Sequence, residues 1–294
     1  LNQKPLQAMK KILVPVDFSA NSKNALHVAA EIARVTGATL ELLHVNVEAA
    51  FAMPLSEFAS PTDFARDEVY DESAEFLLKQ LQKELHENPA YKDVKTVTRI
   101  GDGFLYSCVR IAAESDGVDL VVMGTKGASG ASEFFIGSNT EKVIRTSPCP
   151  ILAIPESVQA FSLKTVLLPS TLKDDQQPVF NYLAEWQKSF DFRVKVLYLN
   201  NPQGYATDGS AELRKKQLAE AAGLSKPDVI MTGQSYFEES SILSVADQYE
   251  ADMIVMATHQ RKGLSHLLFG STTEDTVNHS DIPVLAVPTK WMKN

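Results

Sequence analysis

At 294 residues the chain is about twice the size of an ordinary domain of roughly 100–150 residues, so two domains are expected. Its composition, 44% hydrophobic and 22% charged, is that of an ordinary globular protein. A net charge of −9 argues against non-specific binding to nucleic acid or to an anionic membrane, but not against a nucleotide, whose phosphates backbone amides can hold.

In chain order, Ile12-Leu13-Val14-Pro15-Val16 is a short apolar run of the kind buried on both faces of a sheet. Ala25, Val28, Ala29, Ile32 and Ala33 then recur at helical spacing, and Gly37 stands where that helix needs a left-handed residue to stop. Strands are expected over Thr39–Val47, Val94–Ile100, Asp119–Met123 and Pro150–Ile154, with helices near 69–87 and 103–115 and a short one opening at Gly137-Ser138. Alternating strands and helices predict parallel pairing in a doubly wound sheet. Glu48–Asp67, rich in Pro, Ser, Phe and Ala, is either a wandering surface loop or a lid over a ligand.

The chain then repeats itself. Val166-Leu167-Leu168-Pro169 follows Ile12-Leu13-Val14-Pro15 at an offset of 154 residues, and Val196-Leu197-Tyr198 follows Leu42-Leu43-His44 at the same offset. Later segments match at 133: Met123 with Met256, Gly137-Ser138 with Gly270-Ser271, and Pro150–Pro155 with Pro283–Pro288. The second copy is therefore 21 residues shorter between its second and fourth strands. Two domains, 9–155 and 163–290, are expected, joined near Glu156–Leu163. Residues 1–8 fit no element, and Met9 is the expected natural start.

Cys108 and Cys149 have no metal-ligand spacing and are too few for a disulfide framework. No stretch reaches the ~18 apolar residues of a membrane span. A reduced, cytoplasmic protein is the expectation, with no nucleic-acid or membrane partner.

In an open parallel sheet, ligands sit beyond the carboxyl ends of the strands where the strand order reverses. The first and fourth strands end there in Pro15-Val16-Asp17-Phe18-Ser19 and Met123-Gly124-Thr125-Lys126-Gly127. Gly124-x2-Gly127-x9-Gly137-Ser138 offers close backbone approach and a helix N-terminus, both suited to phosphate. A glycine loop between strand and helix is, alone, also common turn chemistry.

Lys10–Ser19, Leu42-Leu43-His44-Val45, Val122–Gly127 and Ser147-Pro148-Cys149-Pro150-Ile151-Leu152 together resemble the universal stress protein family, in two copies spanning essentially the whole chain. The resemblance implies an α/β fold: two tandem doubly wound domains, each a five-stranded parallel sheet of order 3-2-1-4-5 with helices on both faces. It also implies ATP, with or without Mg²⁺, as ligand. Asp17 would meet the adenine amino group, with Pro15, Val16 and Val45 walling the base. Met123 and Gly124 would approach the ribose and α-phosphate, and Gly127, Gly137, Ser138 and Asn139 would hold the phosphates. Asp17 has the alternative reading of a strand-end or cap carboxylate, and Ser19 is either a phosphate contact or an N-cap. His44 reads as a structural histidine, and Lys126 as either a phosphate contact or a loop lysine.

The second copy departs from this pattern. Thr171, Ala257 and Gln260 replace Asp17, Gly124 and Gly127, and it reads as a partner that has lost ATP binding. His259, His266 and His279 read as solvated surface. The expected function is nucleotide-dependent conformational signalling in the stress response, not enzymatic turnover, although weak ATP hydrolysis is compatible with the site. The alternatives are an ATP-hydrolysing enzyme of the adenine-nucleotide superfamily, against which stands the lack of a glycine cradle after the first strand, or a scaffold that binds no nucleotide. The matched apolar strands Pro150–Pro155 and Pro283–Pro288 would be hazardous open edges unless they paired with each other. The family's pairing habit points the same way, to an intrachain pseudo-dimer through the fifth strands; a homodimer of whole chains is a further expectation.

Overall fold

A short run of branched apolar residues buries both faces of a strand, and this chain builds its sheet from such runs. The computed structural model describes residues 9–46, 61–126, 137–170, 172, 176–198, 208–225, 227–231, 239–258 and 268–289. The first half contains β1 (Lys11–Pro15), α1 (Ala20–Thr36), β2 (Thr39–Asn46), α2 (Pro61–Glu87), β3 (Thr96–Asp102), α3 (Leu105–Ser115), β4 (Leu120–Gly124), α4 (Ser138–Thr146) and β5 (Ile151–Ile154). The second half repeats the order as β6 (Thr165–Ser170), α5 (Gln177–Gln187), β7 (Arg193–Tyr198), α6 (Asp208–Ala222), β8 (Asp228–Met231), α7 (Glu239–Gln248), β9 (Met253–Thr258), α8 (Leu268–His279) and β10 (Val284–Pro288).

The ten strands form one sheet in the order β3-β2-β1-β4-β5-β10-β9-β6-β7-β8. Within each half the pairing is parallel and the order is 3-2-1-4-5. Each apolar run alternates between two layers. Ile12, Val14, Leu40 and Leu42 face a core shared with α1, α2, α5 and α6, whereas Leu13 and Leu43 face one shared with α3, α4, α7 and α8. Both layers run across the two halves.

The repeat is kept in register. Ile12 pairs with Leu120 in β1–β4, and Val166 with Met253 in β6–β9, the same two positions at offsets of 154 and 133. Asp119 Oδ2 accepts from the backbone N–H groups of Lys10 and Lys11 at 2.7 and 2.9 Å, and Asp252 Oδ2 accepts from Lys164 and Thr165, both at 2.7 Å. The Ser147 hydroxyl donates to the Cys149 carbonyl at 3.0 Å, and Ser280 does so to Ile282 at 2.8 Å. A carboxylate that caps two strand-initial amides fixes the crossing of two chain segments; nothing in the sequence pattern had singled it out.

The halves meet where β5 and β10 pair antiparallel: Ala153 with Val284, Leu152 with Leu285, Ile151 with Ala286. At an offset of 133 Leu152 is the counterpart of Leu285, so a local twofold axis passes between these two fully buried residues. Next to the axis Arg145 of α4 donates to both carboxylate oxygens of Glu274 in α8, at 3.0 and 2.8 Å. The start of the linker is tied to both halves: Ser157 donates to the Asp281 carbonyl at 2.9 Å, and the Asn24 side chain donates to that of Val158.

Some boundaries differ from expectation. The third strand runs Thr96–Asp102 rather than Val94–Ile100, because Val94 packs inward before the strand begins, while the strand itself, at a sheet edge, is mostly half-buried and mixes polar with apolar residues. The helix expected from about 69 already begins at Pro61, whose fixed φ suits a first helical turn. The end of the Glu48–Asp67 segment, read as a loop or lid, is therefore helical; residues 48–60 lie outside the described residues. Gly37 ends α1 at φ 74°, its N–H donating to the Ala33 carbonyl at 2.8 Å.

Two outcomes follow from this architecture. Leu285→Lys places an ammonium on the twofold axis and should lower unfolding stability by on the order of 3 kcal/mol, whereas Leu213→Lys, at a position 58% exposed, should stay within about 0.5 kcal/mol. Urea unfolding of both variants checks this; equal stability would show that the β5–β10 seam carries no weight. Burial also pushes the Tyr182 phenol of α5 far above its ordinary range. A phenol held protonated in the fold contributes stability that is intact below its unfolded pKa of about 10 and is lost as pH rises past it. Urea midpoints at pH 8 and 11 should therefore diverge less in Tyr182→Phe than in the parent; an identical divergence would contradict the assignment.

Candidate functional site

The strand order reverses between β1 and β4 in the first half, and a cleft opens at their carboxyl ends. Pro15, Val16 and Asp17 border it from β1, Leu43, His44 and Val45 from β2, and Met123, Gly124 and Lys126 from β4. Ser22, Leu105, and Gly137 to Thr140 at the start of α4 complete the wall. The cavity volume is about 150 Å³.

Of the residues expected from sequence, Pro15, Val16, Asp17, Val45, Met123, Gly124, Gly137, Ser138 and Asn139 are brought together here. Ser19 does not border the cleft. It is the N-cap of α1, its hydroxyl oxygen accepting from the Ser22 N–H at 3.2 Å and donating to Asp17 Oδ1 at 2.6 Å. Asp17 Oδ1 also accepts from the Ser19 N–H at 3.1 Å, so the carboxylate is oriented by its own turn. Gly127 lies outside the described residues. Sequence reasoning missed Ser22, Leu43, Leu105 and Thr140 as wall residues; the strand pattern shows that Leu43 is buried but not that its end faces a cleft.

The turn after β1 carries local strain. Phe18 adopts φ 63°, left-handed for a residue with a side chain, at a cost of roughly 1–2 kcal/mol. Its ring lies 4.8 Å from that of His44, and His44 Nδ1 is 2.8 Å from the Val16 carbonyl oxygen. His44 thus anchors the turn that presents Asp17, while also forming part of the wall. Leu172, 154 residues on, repeats the left-handed backbone at φ 56°.

On the other side, the Gly137 N–H donates to the Thr125 carbonyl at 2.8 Å and closes the base of the segment between β4 and α4. The Thr140 hydroxyl donates to the Gly124 carbonyl at 3.0 Å, locking helix to strand. Gly137 is the N-cap of α4 and makes no side-chain cap bond. The free N–H groups and positive dipole end of the first turn are thus presented at the cleft beside exposed Ser138 and Asn139. Lys126 Nζ, 3.6 Å from Glu156 Oε2, adds a cation at the rim.

Gly124 borders the cleft, and its neighbours explain why glycine stands there. Its φ lies outside the left-handed region, so the turn does not demand glycine. A Cβ there would instead lie 2.8 Å from Asn21 Cγ and Nδ2, because α1 presses on the end of β4.

The second half keeps the frame and changes the wall. Buried residues of α5 fall at the α1 positions shifted by 154, from Val179 and Phe180 to Trp186. Ser170 and Gln176 stand at the positions of Val16 and Ser22, both buried, with Ser170 donating to the Gln176 side-chain oxygen. Tyr198 replaces His44 and Ala257 replaces Gly124. The closing helix α8 begins at Leu268, so Gly270 and Ser271 sit within its first turn rather than at its cap. Thr171, Gln260, His259 and His266 lie outside the described residues; His279 is exposed. Among the described residues no three His, Cys, Asp or Glu side chains converge as a metal site, and no helix is long and apolar enough to cross a membrane.

Comparison with known proteins places the chain. It is 24% identical to universal stress protein Slr1230 of Synechocystis, over 94% of this chain and 99% of that one. It is 33% identical to universal stress protein YxiE of Bacillus subtilis, over 49% of this chain and 97% of the relative. Its fold matches the crystal structure of a universal stress protein from Archaeoglobus fulgidus with a TM-score of 0.71 at 20% identity, covering 96% and 99% of the two chains. The model of the universal stress protein family matches residues 9–155 and again 162–288. With its strand order, its paired halves and two matches that span nearly its whole length, the chain belongs to the universal stress protein family.

Proposed function

We propose that the chain is a cytoplasmic stress protein that binds ATP in its first half and acts through nucleotide-dependent conformational change rather than turnover. The observation that carries this reading is the convergence, at one switch-point cleft, of an oriented carboxylate and an uncapped helix N-terminus. Asp17, the Gly137–Asn139 turn of α4, and the apolar residues Pro15, Val16, Val45 and Met123 all line this one cleft. Apolar walls accompanied by a carboxylate acceptor fit a base bearing an amino donor. The α4 terminus fits phosphate, since glycine at the cap leaves the approach to its N–H groups free of a side chain. Gly127 belongs to the same proposal on its sequence spacing. Mg²⁺ enters the proposal as a complex with the phosphates, not as an ion held by a protein cluster.

The second half supports the asymmetry by what stands in its equivalent places: Gln176 and Ser170 bonded to each other, a side chain at Ala257, and a helix that starts earlier. In this reading the two halves form an intrachain pseudo-dimer through β5 and β10, one half binding and the other serving as its structural partner. Whole chains then pair into a homodimer, which sedimentation at micromolar concentration would report.

Isothermal titration should give one ATP per chain. At 100 times its Kd the ligand should add about 2.7 kcal/mol of stability. Asp17→Ala should weaken ATP and narrow its advantage over GTP, and Gly127→Gln, which copies the second half, should abolish binding without lowering the melting temperature of the free chain. Two equivalent sites, or parental affinity in both variants, would refute the assignment.

A further inference from the structure

Asn21 is 7% exposed at the second position of α1 and does not border the cleft, yet it meets the cleft-forming segment at three points. Its Nδ2 donates to the Lys126 carbonyl at 2.9 Å. Its Cγ and Nδ2 occupy the space that a Cβ at Gly124 would need, 2.8 Å away, with its carbonyl oxygen at 3.2 Å. Its Oδ1 is buried and has no hydrogen-bond partner among the described residues. A buried amide oxygen left unpaired costs about as much as the bond that Nδ2 makes, so packing alone does not account for asparagine here.

We propose that Asn21 is the positioning residue of the site: it sets the path of the chain leaving β4, requires glycine at 124, and so fixes where that segment meets the phosphate end of the ligand. The binding part of this inference rests on the nucleotide reading; the steric part does not. One side chain links two elements of the site. The N-terminus of α1, whose cap is Ser19 and whose turn carries Asp17, is joined through Asn21 to the backbone at 124–126. The adenine end and the phosphate end of the cleft are thereby held at a fixed spacing. Ala257 in the second half has the Cβ that this contact excludes, so the same clamp is not available there.

The steric part is tested on the ligand-free chain by a double-mutant cycle read as melting temperature. Gly124→Ala should lower Tm by about 3 °C or more in the parent background and by less than half as much in an Asn21→Ala background. The same loss in both backgrounds would overturn the claim that Asn21 is what demands glycine.

The binding part is tested by titrating ATP and adenosine into Asn21→Ala and into Asn21→Asp, which keeps the shape but sets a carboxylate against the Lys126 carbonyl. Both variants should weaken ATP about tenfold, the effect of one ordinary hydrogen bond, while adenosine affinity stays within about twofold. Equal losses for both ligands would show a merely structural role and overturn the positioning claim, as would unchanged ATP affinity. If the parent chain binds no ATP, the nucleotide reading itself is overturned, and the melting cycle still decides whether Asn21 sets the segment.

Discussion

The antiparallel pairing of β5 with β10 is the constraint on which the rest depends. Each of these strands would otherwise be a sheet edge, a row of unpaired backbone groups flanked by fully apolar side chains, and such an edge invites aggregation. Pairing them joins two five-stranded sheets into one and makes both helix layers continuous across the chain. The register places Leu152 against Leu285, its own counterpart in the repeat, so each half meets the other through the same surface. A surface that pairs with its own copy tolerates duplication without new invention, because the strand pairing on one side of the axis has a counterpart on the other. The Arg145–Glu274 pair beside it is one-sided, since Asn278 stands at the position equivalent to Arg145.

Symmetry at the seam leaves the far ends of the strands free to diverge. The elements that hold the frame recur almost residue for residue: the Asp119 and Asp252 clamps, the Ser147 and Ser280 turns, and the left-handed backbone at Phe18 and Leu172. The elements that shape the cleft do not. Val16, Ser22, His44 and Gly124 give way to Ser170, Gln176, Tyr198 and Ala257. Retention of a strained turn where the cleft residues have changed shows that the strain serves the exit of the chain from the strand, and that Asp17 is carried on a structural device.

Much of this fold was legible in the sequence for one physical reason: parallel strands buried on both faces appear as short apolar runs, and a duplicated chain shows each run twice. Ile12–Val16 and Val166–Pro169 could be aligned before any coordinates. The edge strand was less legible, since Thr96, Thr98 and Arg99 interleave polar residues and pull the apparent start back to Val94. Within the cleft, the loop residues Asp17, Gly137 and Ser138 announce themselves by type, whereas Ser22, Leu105 and Thr140 enter only because helices α1, α3 and α4 are packed where they are. Gly124 shows the limit most clearly. Its identity was read as room for a ligand, and it does border the cleft, but the space a Cβ would take is also held by Asn21, a contact between residues 103 positions apart that no local pattern encodes.

The central claim is that one frame repeated twice carries a single working nucleotide site. Backbone hydrogen exchange with and without ATP, followed by mass spectrometry, reads each half separately. The account predicts slower exchange on ATP addition in peptides covering the β1–α1 turn, the end of β4 and the first turn of α4, with no change in peptides covering residues 170–177 and the first turn of α8. Protection of both halves alike, or protection confined to the second half, would contradict it.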